Sequence, residues 1–318
     1  RRDGDCELNV ACRDGIAAAL PRLLEGCDAS AIGRAVRIAA WYGHRDCVAT
    51  LSEHAERHTI SIAHDLNQAL CAAARGRWEP SRRRQFTKST ATGFLLAEDD
   101  ARCAVTTLLL QCRASVNSIE DDDGATALRY ASSNGRSNLV QLLLSSDADP
   151  NAAKKKSLGC ALHVAANSTI VDLLCTARAD IARAAGYGEA PLDVAATHGK
   201  LEVVQALLEH RANVHQTRPT GTSALFMAAQ NGHATVVRVL LDANAQVDQR
   251  KNNTQSPLGV ACDVGQPEVA GMLVEAGADV NNVFRGQSAV SYAKRFGNNG
   301  VVAEIKARLE KMMKSSTT

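Results

Sequence analysis

The apolar positions of this chain recur at helical spacing in short bursts, and the bursts come in pairs. The clearest pair occupies residues 222–248, TSALFMAAQNGHATVVRVLLDANAQVD. Leu225, Ala228 and Ala229 fall on one face of a helix predicted over residues 224–230. Asn231-Gly232 interrupts the pattern, and Val237, Leu240 and Leu241 fall on one face of a second helix over residues 234–241. Neither segment is long enough to hold a helix alone in water. Their shared apolar face therefore needs a neighbour of the same kind.

The chain supplies those neighbours by repetition. Aligned on the interrupting glycine, Gly199 is followed by Val204, Leu207 and Leu208, Gly265 by Ala270, Leu273 and Val274, and Gly135 by Val140, Leu143 and Leu144. From Gly199 to Gly232 to Gly265 the step is 33 residues each time. Before the glycine, one short motif returns as Ala190-Pro191-Leu192-Asp193-Val194-Ala195-Ala196, as Cys160-Ala161-Leu162-His163-Val164-Ala165-Ala166 and as Ser256-Pro257-Leu258-Gly259-Val260-Ala261-Cys262. After the second helix stands Gly277-Ala278-Asp279-Val280-Asn281, with weaker copies at residues 147–151 and 113–117. A period near 33 residues with two short helices and these motifs resembles the ankyrin-repeat family. The resemblance implies an all-α fold, an α-solenoid of stacked helix–turn–helix repeats joined by β-hairpin-like fingers.

Each motif position has a physical reason. A hydroxyl at the first position, as at Thr126, Ser223, Ser256 and Ser288, can cap the inner helix. Proline next, as at Pro191 and Pro257, is compatible with a helix start. Paired alanines let inner helices approach closely. The glycine ends the inner helix in a left-handed turn.

Nine copies can be counted, over residues 5–28, 30–57, 66–117, 121–151, 157–181, 184–215, 218–248, 251–281 and 284–312, followed by a polar tail at 313–318. The third is expected to be interrupted by an insertion over 77–100, its second helix resuming near Ala101. The fifth lacks about four residues between its helices, where Asn167-Ser168-Thr169 stands. The ninth resembles a terminal cap, with Glu304, Lys306, Arg308, Glu310 and Lys311 on a solvated face. Around its start, residues Arg75 to Lys88 hold six basic side chains against one acid, Glu79, with Trp78 and Phe86 among them. It reads as a surface loop. As a docking or phosphorylation segment it would centre on Thr87.

Composition narrows the function. Aromatic residues make up only 3% of the chain, and net charge is +2, which gives no global argument for nucleic acid or membrane. No apolar run approaches a membrane span. Ten cysteines without a CxxC pair read as reduced thiols, several at small buried positions such as Cys12 and Cys262, which suits a cytoplasmic or nuclear setting. The chain begins Arg1-Arg2 and not Met, so we read it as a monomeric array within a larger polypeptide.

Catalytic and cofactor motifs are absent. There is no phosphate-binding GxxxxGK[ST] loop, no GxSxG elbow and no kinase signature. His54, His58 and His64 do not reproduce HExxH, because Glu56 stands one position late. His44 and His163 occupy positions where a bond between repeats is expected. We expect no enzyme, no metal and no cofactor.

The resemblance places the partner-binding surface on the finger tips and on the two residues before each helix-separating glycine. That gives Trp41 and Tyr42, Ser133 and Asn134, Thr197 and His198, Gln230 and Asn231, Asp263 with Val264, and Arg295 and Phe296; the fingers add Asp122, Asp123, Tyr187, Phe284 and Arg285. Trp41-Tyr42 stands out in a chain with eleven aromatics, since these residue types dominate binding hot spots. The implied function is a scaffold or adaptor for a protein partner. The alternative is the recognition part of a larger enzyme, such as a kinase or ubiquitin-ligase component. Nucleic-acid binding through residues 75–88 ranks below both.

Overall fold

The computed structural model describes residues 7–76, 88–120, 124–153, 159–252, 255–281, 283–284, 287–295 and 297–315. Two compact units form, Arg1–Ala161 with Thr176–Ala179, and Leu162–Cys175 with Asp180–Thr318.

In the first unit the helices alternate between two layers. One layer holds α1 (Glu7–Asp14), α3 (Ala29–Tyr42), α5 (Ala63–Arg75) and α7 (Ala127–Ser133), each packed on the next. The other holds α2 (Leu20–Leu23), α4 (Arg45–Arg57), α6 (Lys88–Gln111) and α8 (Ser137–Ser145). Cores are built from alanine and aliphatic residues. Ala39, Ala40, Ala69 and Ala73 are fully buried where α3 meets α5, and side chains of that size let the two backbones come close together.

In the second unit a single 3-10 turn, Ala161–Val164, precedes α9 (Ser168–Thr176). The inner layer continues with α10 (Pro191–Thr197), α12 (Ala224–Asn231), α14 (Pro257–Val264) and α16 (Ala289–Arg295). The outer layer is α11 (Leu201–Glu209), α13 (Ala234–Asp242), α15 (Pro267–Glu275) and α17 (Asn299–Ser315). Strands β1 (Val283–Phe284) and β2 (Gln287–Ser288) pair antiparallel in one finger. Isolated bridges Thr217–Ser223 and Lys251–Gln255 close two more, and Ile119–Thr126 closes one in the first unit. The all-α, helix–turn–helix architecture with hairpin-like fingers is thus present.

The boundaries follow from the motif. Thr126, Ser223, Ser256 and Ser288 each accept a backbone N–H three residues on, at 3.1–3.3 Å. Where the cap is Ala190, the Asp193 carboxylate takes the Ala190 N–H instead, at 3.0 Å. Pro191 and Pro257 open their helices. Gly232 closes α12 at φ +74°, a conformation that excludes most side chains.

Two expectations change. The second helix of the interrupted pair begins at Lys88, well before Ala101, so residues 88–100 belong to α6. In the outer helices the buried residue that periodicity overlooks lies four places after the glycine, at Leu139, Val203, Val236 and Val269. Leu144, Leu208 and Leu241, nine places after it, are only half-buried. Positions four, five and eight share one helix face, and position nine lies a further 100° round. Val274 is the exception, buried in α15, which packs against α17.

Candidate functional site

A recurrent hydrogen bond sets the position of the inner-helix ends. After five of the helix-separating glycines, the next residue reaches back to a main-chain carbonyl at the end of the preceding inner segment. His44 Nε2 donates to the Arg13 carbonyl at 2.9 Å, and Arg136 Nη1 donates to the Ala73 and Ala74 carbonyls at 3.2 and 2.8 Å. In the second unit Lys200 Nζ reaches Ala165 at 2.8 Å, His233 reaches Thr197 at 3.1 Å and Asn298 reaches Cys262 at 2.7 Å. His163 makes a related bond to the Glu189 carbonyl at 3.1 Å. Orphan carbonyls at helix ends are thereby satisfied, and the residues beside them are held in fixed places.

Where both candidate residues before the glycine are described, one member is half-buried and one exposed. In the second unit Thr197, Gln230 and Asp263 are half-buried, while His198, Asn231 and Val264 are exposed. Thr197 Oγ1 donates to the Asp193 carbonyl at 2.7 Å, and Asn231 Nδ2 donates to the Met227 carbonyl at 2.8 Å, so both are tied to their own helix. Arg295 is exposed. Tyr187 is 85% exposed at a finger tip, in a turn closed by the Ala185 N–H donating to the Glu189 carbonyl at 2.8 Å. Phe284 lies on β1. Asp122, Asp123, Arg285 and Phe296 lie outside the described residues, as do residues 77–87 of the basic segment.

In the first unit Ser133 is exposed, whereas Asn134 turns inward, its Nδ2 donating to the Ala74 carbonyl at 3.1 Å and to the Arg75 carbonyl at 3.2 Å. Trp41 is half-buried and Tyr42 is exposed at the end of α3. The Arg75 guanidinium lies 5.9 Å from the Trp41 ring centroid and 5.4 Å from that of Tyr130. Its Nη1 donates to both Glu120 carboxylate oxygens at 2.7 and 2.8 Å, and the Tyr130 hydroxyl donates to the same carboxylate. Beneath, Arg102 is 1% exposed and donates to the Trp41 carbonyl at 3.0 Å and the Ala73 carbonyl at 2.8 Å. Arg34, Arg37, Ile38, Trp41, Tyr42 and Ala72 line a shallow cleft of about 370 Å³.

The sequence singles out Trp41 and Tyr42 but not their supports. Arg75 reads there as part of the basic segment, and its pairing with Glu120 joins residues 45 apart. Nothing in the local pattern around Arg102 marks it as buried.

The ionisable groups are arranged for packing. Burial pushes the Cys12 and Cys262 thiols up to about 12, and those of Cys103 and Cys175 up to about 11. Such thiols are poor nucleophiles at neutral pH. Burial likewise raises the Asp193 carboxyl to about 6, against the opposing pull of the Ala190 N–H and Arg218. The His54 and His58 rings lie 4.4 Å apart. Among the described residues, no group of three His, Cys, Asp or Glu could hold a metal ion, and no helix is long and apolar enough to cross a membrane.

Comparison with known proteins agrees with this architecture. The family description "Ankyrin repeats (3 copies)" matches residues 85–154 and 192–284, more than half of the chain. The chain belongs to the ankyrin-repeat family, whose members are in general protein-interaction modules. It is also similar to the ankyrin repeat and KH domain-containing protein mask-1 of Caenorhabditis elegans, 31% identical over 179 residues. That alignment covers 52% of this chain and 7% of the relative's length.

Proposed function

We propose that this chain is a non-catalytic interaction module that binds a protein partner through its inner-helix ends and finger tips. The observation that carries the reading is the Trp41–Tyr42 pair at the end of α3, beside an open cleft, with the Trp41 ring against the Arg75 guanidinium. An aromatic pair on a rigid element offers a large contact area at little entropic cost. The remaining contacts would come from Ser133 in the first unit, and from His198, Asn231, Asp263, Arg295 and Tyr187 in the second. The compartment this implies is the cytoplasm or nucleus.

The test is affinity capture with the chain and with its Trp41→Ala/Tyr42→Ala variant, circular dichroism reporting on the fold. Loss of specific partners from a folded variant is the expected result. An unchanged partner set removes this surface from the proposal.

A second reading is that the array is the recognition part of a longer polypeptide, which could carry a catalytic domain elsewhere. The observation favouring it is that the mask-1 alignment covers only 7% of that protein. A full-length transcript distinguishes the two.

A further inference from the structure

We infer that the cleft beside Trp41 takes a short extended segment of a partner protein carrying an acidic residue about three positions from an aliphatic or aromatic one. This rests on the reading of Trp41–Tyr42 as a binding surface and adds the chemistry of what binds there.

The charges around the cleft differ in how they are matched. Arg37 Nε stands 3.4 Å from the Asp65 carboxylate, and Asp65 is wedged in place, since a Cβ on Gly33 would fall 2.2 Å from it. Arg75 is held by Glu120. Arg34 has a different partner: its Nη1 donates to the Ser30 hydroxyl at 2.6 Å, a neutral group on its own helix. Arg34 is exposed and sits on the cleft wall. It therefore offers a guanidinium edge to a carboxylate from outside, the geometry in which arginine binds best.

Apart from the paired Arg37, the rest of the cleft is aliphatic and aromatic. Ile38 and Trp41 follow Arg34 by four and seven residues on one face of α3, with Ala72 of α5 across from them. From Arg34 to Trp41 is about 10 Å along the helix axis. An extended peptide covers that distance in about three residues. Charge at one end and an apolar floor at the other thus set both the composition and the spacing of the segment that fits. The matched Arg37–Asp65 and Arg75–Glu120 pairs flank the site without competing for its ligand.

The experiment is selection of a displayed random peptide library, each member about 12 residues long to span the cleft with margin on both sides, on the full chain. Fluorescence anisotropy of the enriched peptides follows, as synthetic, fluorescein-labelled probes. The expected result is enrichment of Asp or Glu about three residues from Leu, Ile, Phe or Trp. Arg34→Glu should weaken those peptides roughly tenfold or more, and replacing the peptide's acid by Lys should restore binding to Arg34→Glu. Affinity for the unaltered chain should fall as salt rises. Arg34 is an exposed helix residue, so Arg34→Glu tests the charge without disturbing the core, and Trp41→Ala serves as the second variant. If enriched peptides lose binding with Trp41→Ala but not with Arg34→Glu, the acidic requirement is overturned and the aromatic surface stands. If neither variant weakens any enriched peptide, both are overturned.

Discussion

The His233 Nε2 atom donates to the Thr197 carbonyl oxygen at 3.1 Å, 36 residues back, and its ring lies over Gly199. A Cβ on Gly199 would fall 2.5 Å from His233 Nδ1, and Gly199 has φ +67°. The left-handed turn and the imidazole therefore occupy the place where a side chain would go. Two separate costs should follow from Gly199→Ala: about 1 kcal/mol or more for the backbone conformation, and the displacement of the His233 bond, worth about 0.5–1.5 kcal/mol. In a His233→Ala background only the first should remain. Urea denaturation of the unaltered chain and the three variants of this cycle measures the difference.

Arg211 should be improved by losing its side chain. It follows α11 at φ +66°, is exposed, and stands where Gly277 serves after α15 at φ +89°. Arg211→Gly is expected to stabilise by a few tenths to about 1 kcal/mol, the left-handed penalty less the entropy of glycine. Asn244→Gly, at φ +62°, should gain less, because asparagine tolerates this region. Thermal midpoints of the two variants decide the ordering.

Arg102→Met keeps most of the volume of a buried side chain but removes the donor to the Trp41 and Ala73 carbonyls. A loss of about 3 kcal/mol is expected. Because these bonds join α6 to α3 and α5, hydrogen exchange should accelerate in all three helices around Arg102, Trp41 and Ala73.

Asp193 should make stability pH-dependent in a direction opposite to most carboxylates. Its carboxyl titrates at about 6 in the folded chain, against an ordinary value of 3.8. Between those values the folded chain holds the extra proton, so stability falls as pH rises through the window and levels off above it. The span corresponds to roughly 3 kcal/mol. Asp193→Asn removes the charge, and its side-chain oxygen can still accept from the Ala190 N–H. Relative to that variant, the unaltered chain should lose urea midpoint as pH rises from about 4 to about 7.

Thiol labelling should follow burial. Cys12, Cys47, Cys71, Cys160 and Cys262 are buried, and Cys27, Cys103, Cys112 and Cys175 are only half-buried. A thiol reagent at neutral pH should modify the half-buried group first and reach Cys12 and Cys262 only through unfolding, whose rate denaturant should raise.

The repeat architecture was legible because its determinants are local. Ser223, Gly232 and Pro257 act within a turn of their own position, and the structure uses each as the pattern implied. The overlooked core residues Val203 and Val236 show the limit of a period read from one strong apolar pair. The candidate surface was legible only as residue types. Trp41 and Tyr42 could be named, yet what orients Trp41 is Arg75 from α5 and Arg102 from α6, and a buried charge 61 residues away leaves no local trace. The start of α6 at Lys88 was missed because that segment has no counterpart in the other repeats, so the recurring pattern had nothing to register.

The bonds that reach back from the residue after five of the glycines vary in donor but not in acceptor. Histidine, lysine, arginine and asparagine all serve, and each time the other partner is main chain. A carbonyl is present whatever the neighbouring sequence, so beyond the glycine that leaves room for the donor, as Gly199 does for His233, this bond asks nothing of the side chains on its receiving side. Pairs joined in this way can be duplicated, lost or exchanged during descent without a matching change next door, which leaves the exposed residues beside each glycine free to diverge toward new partners.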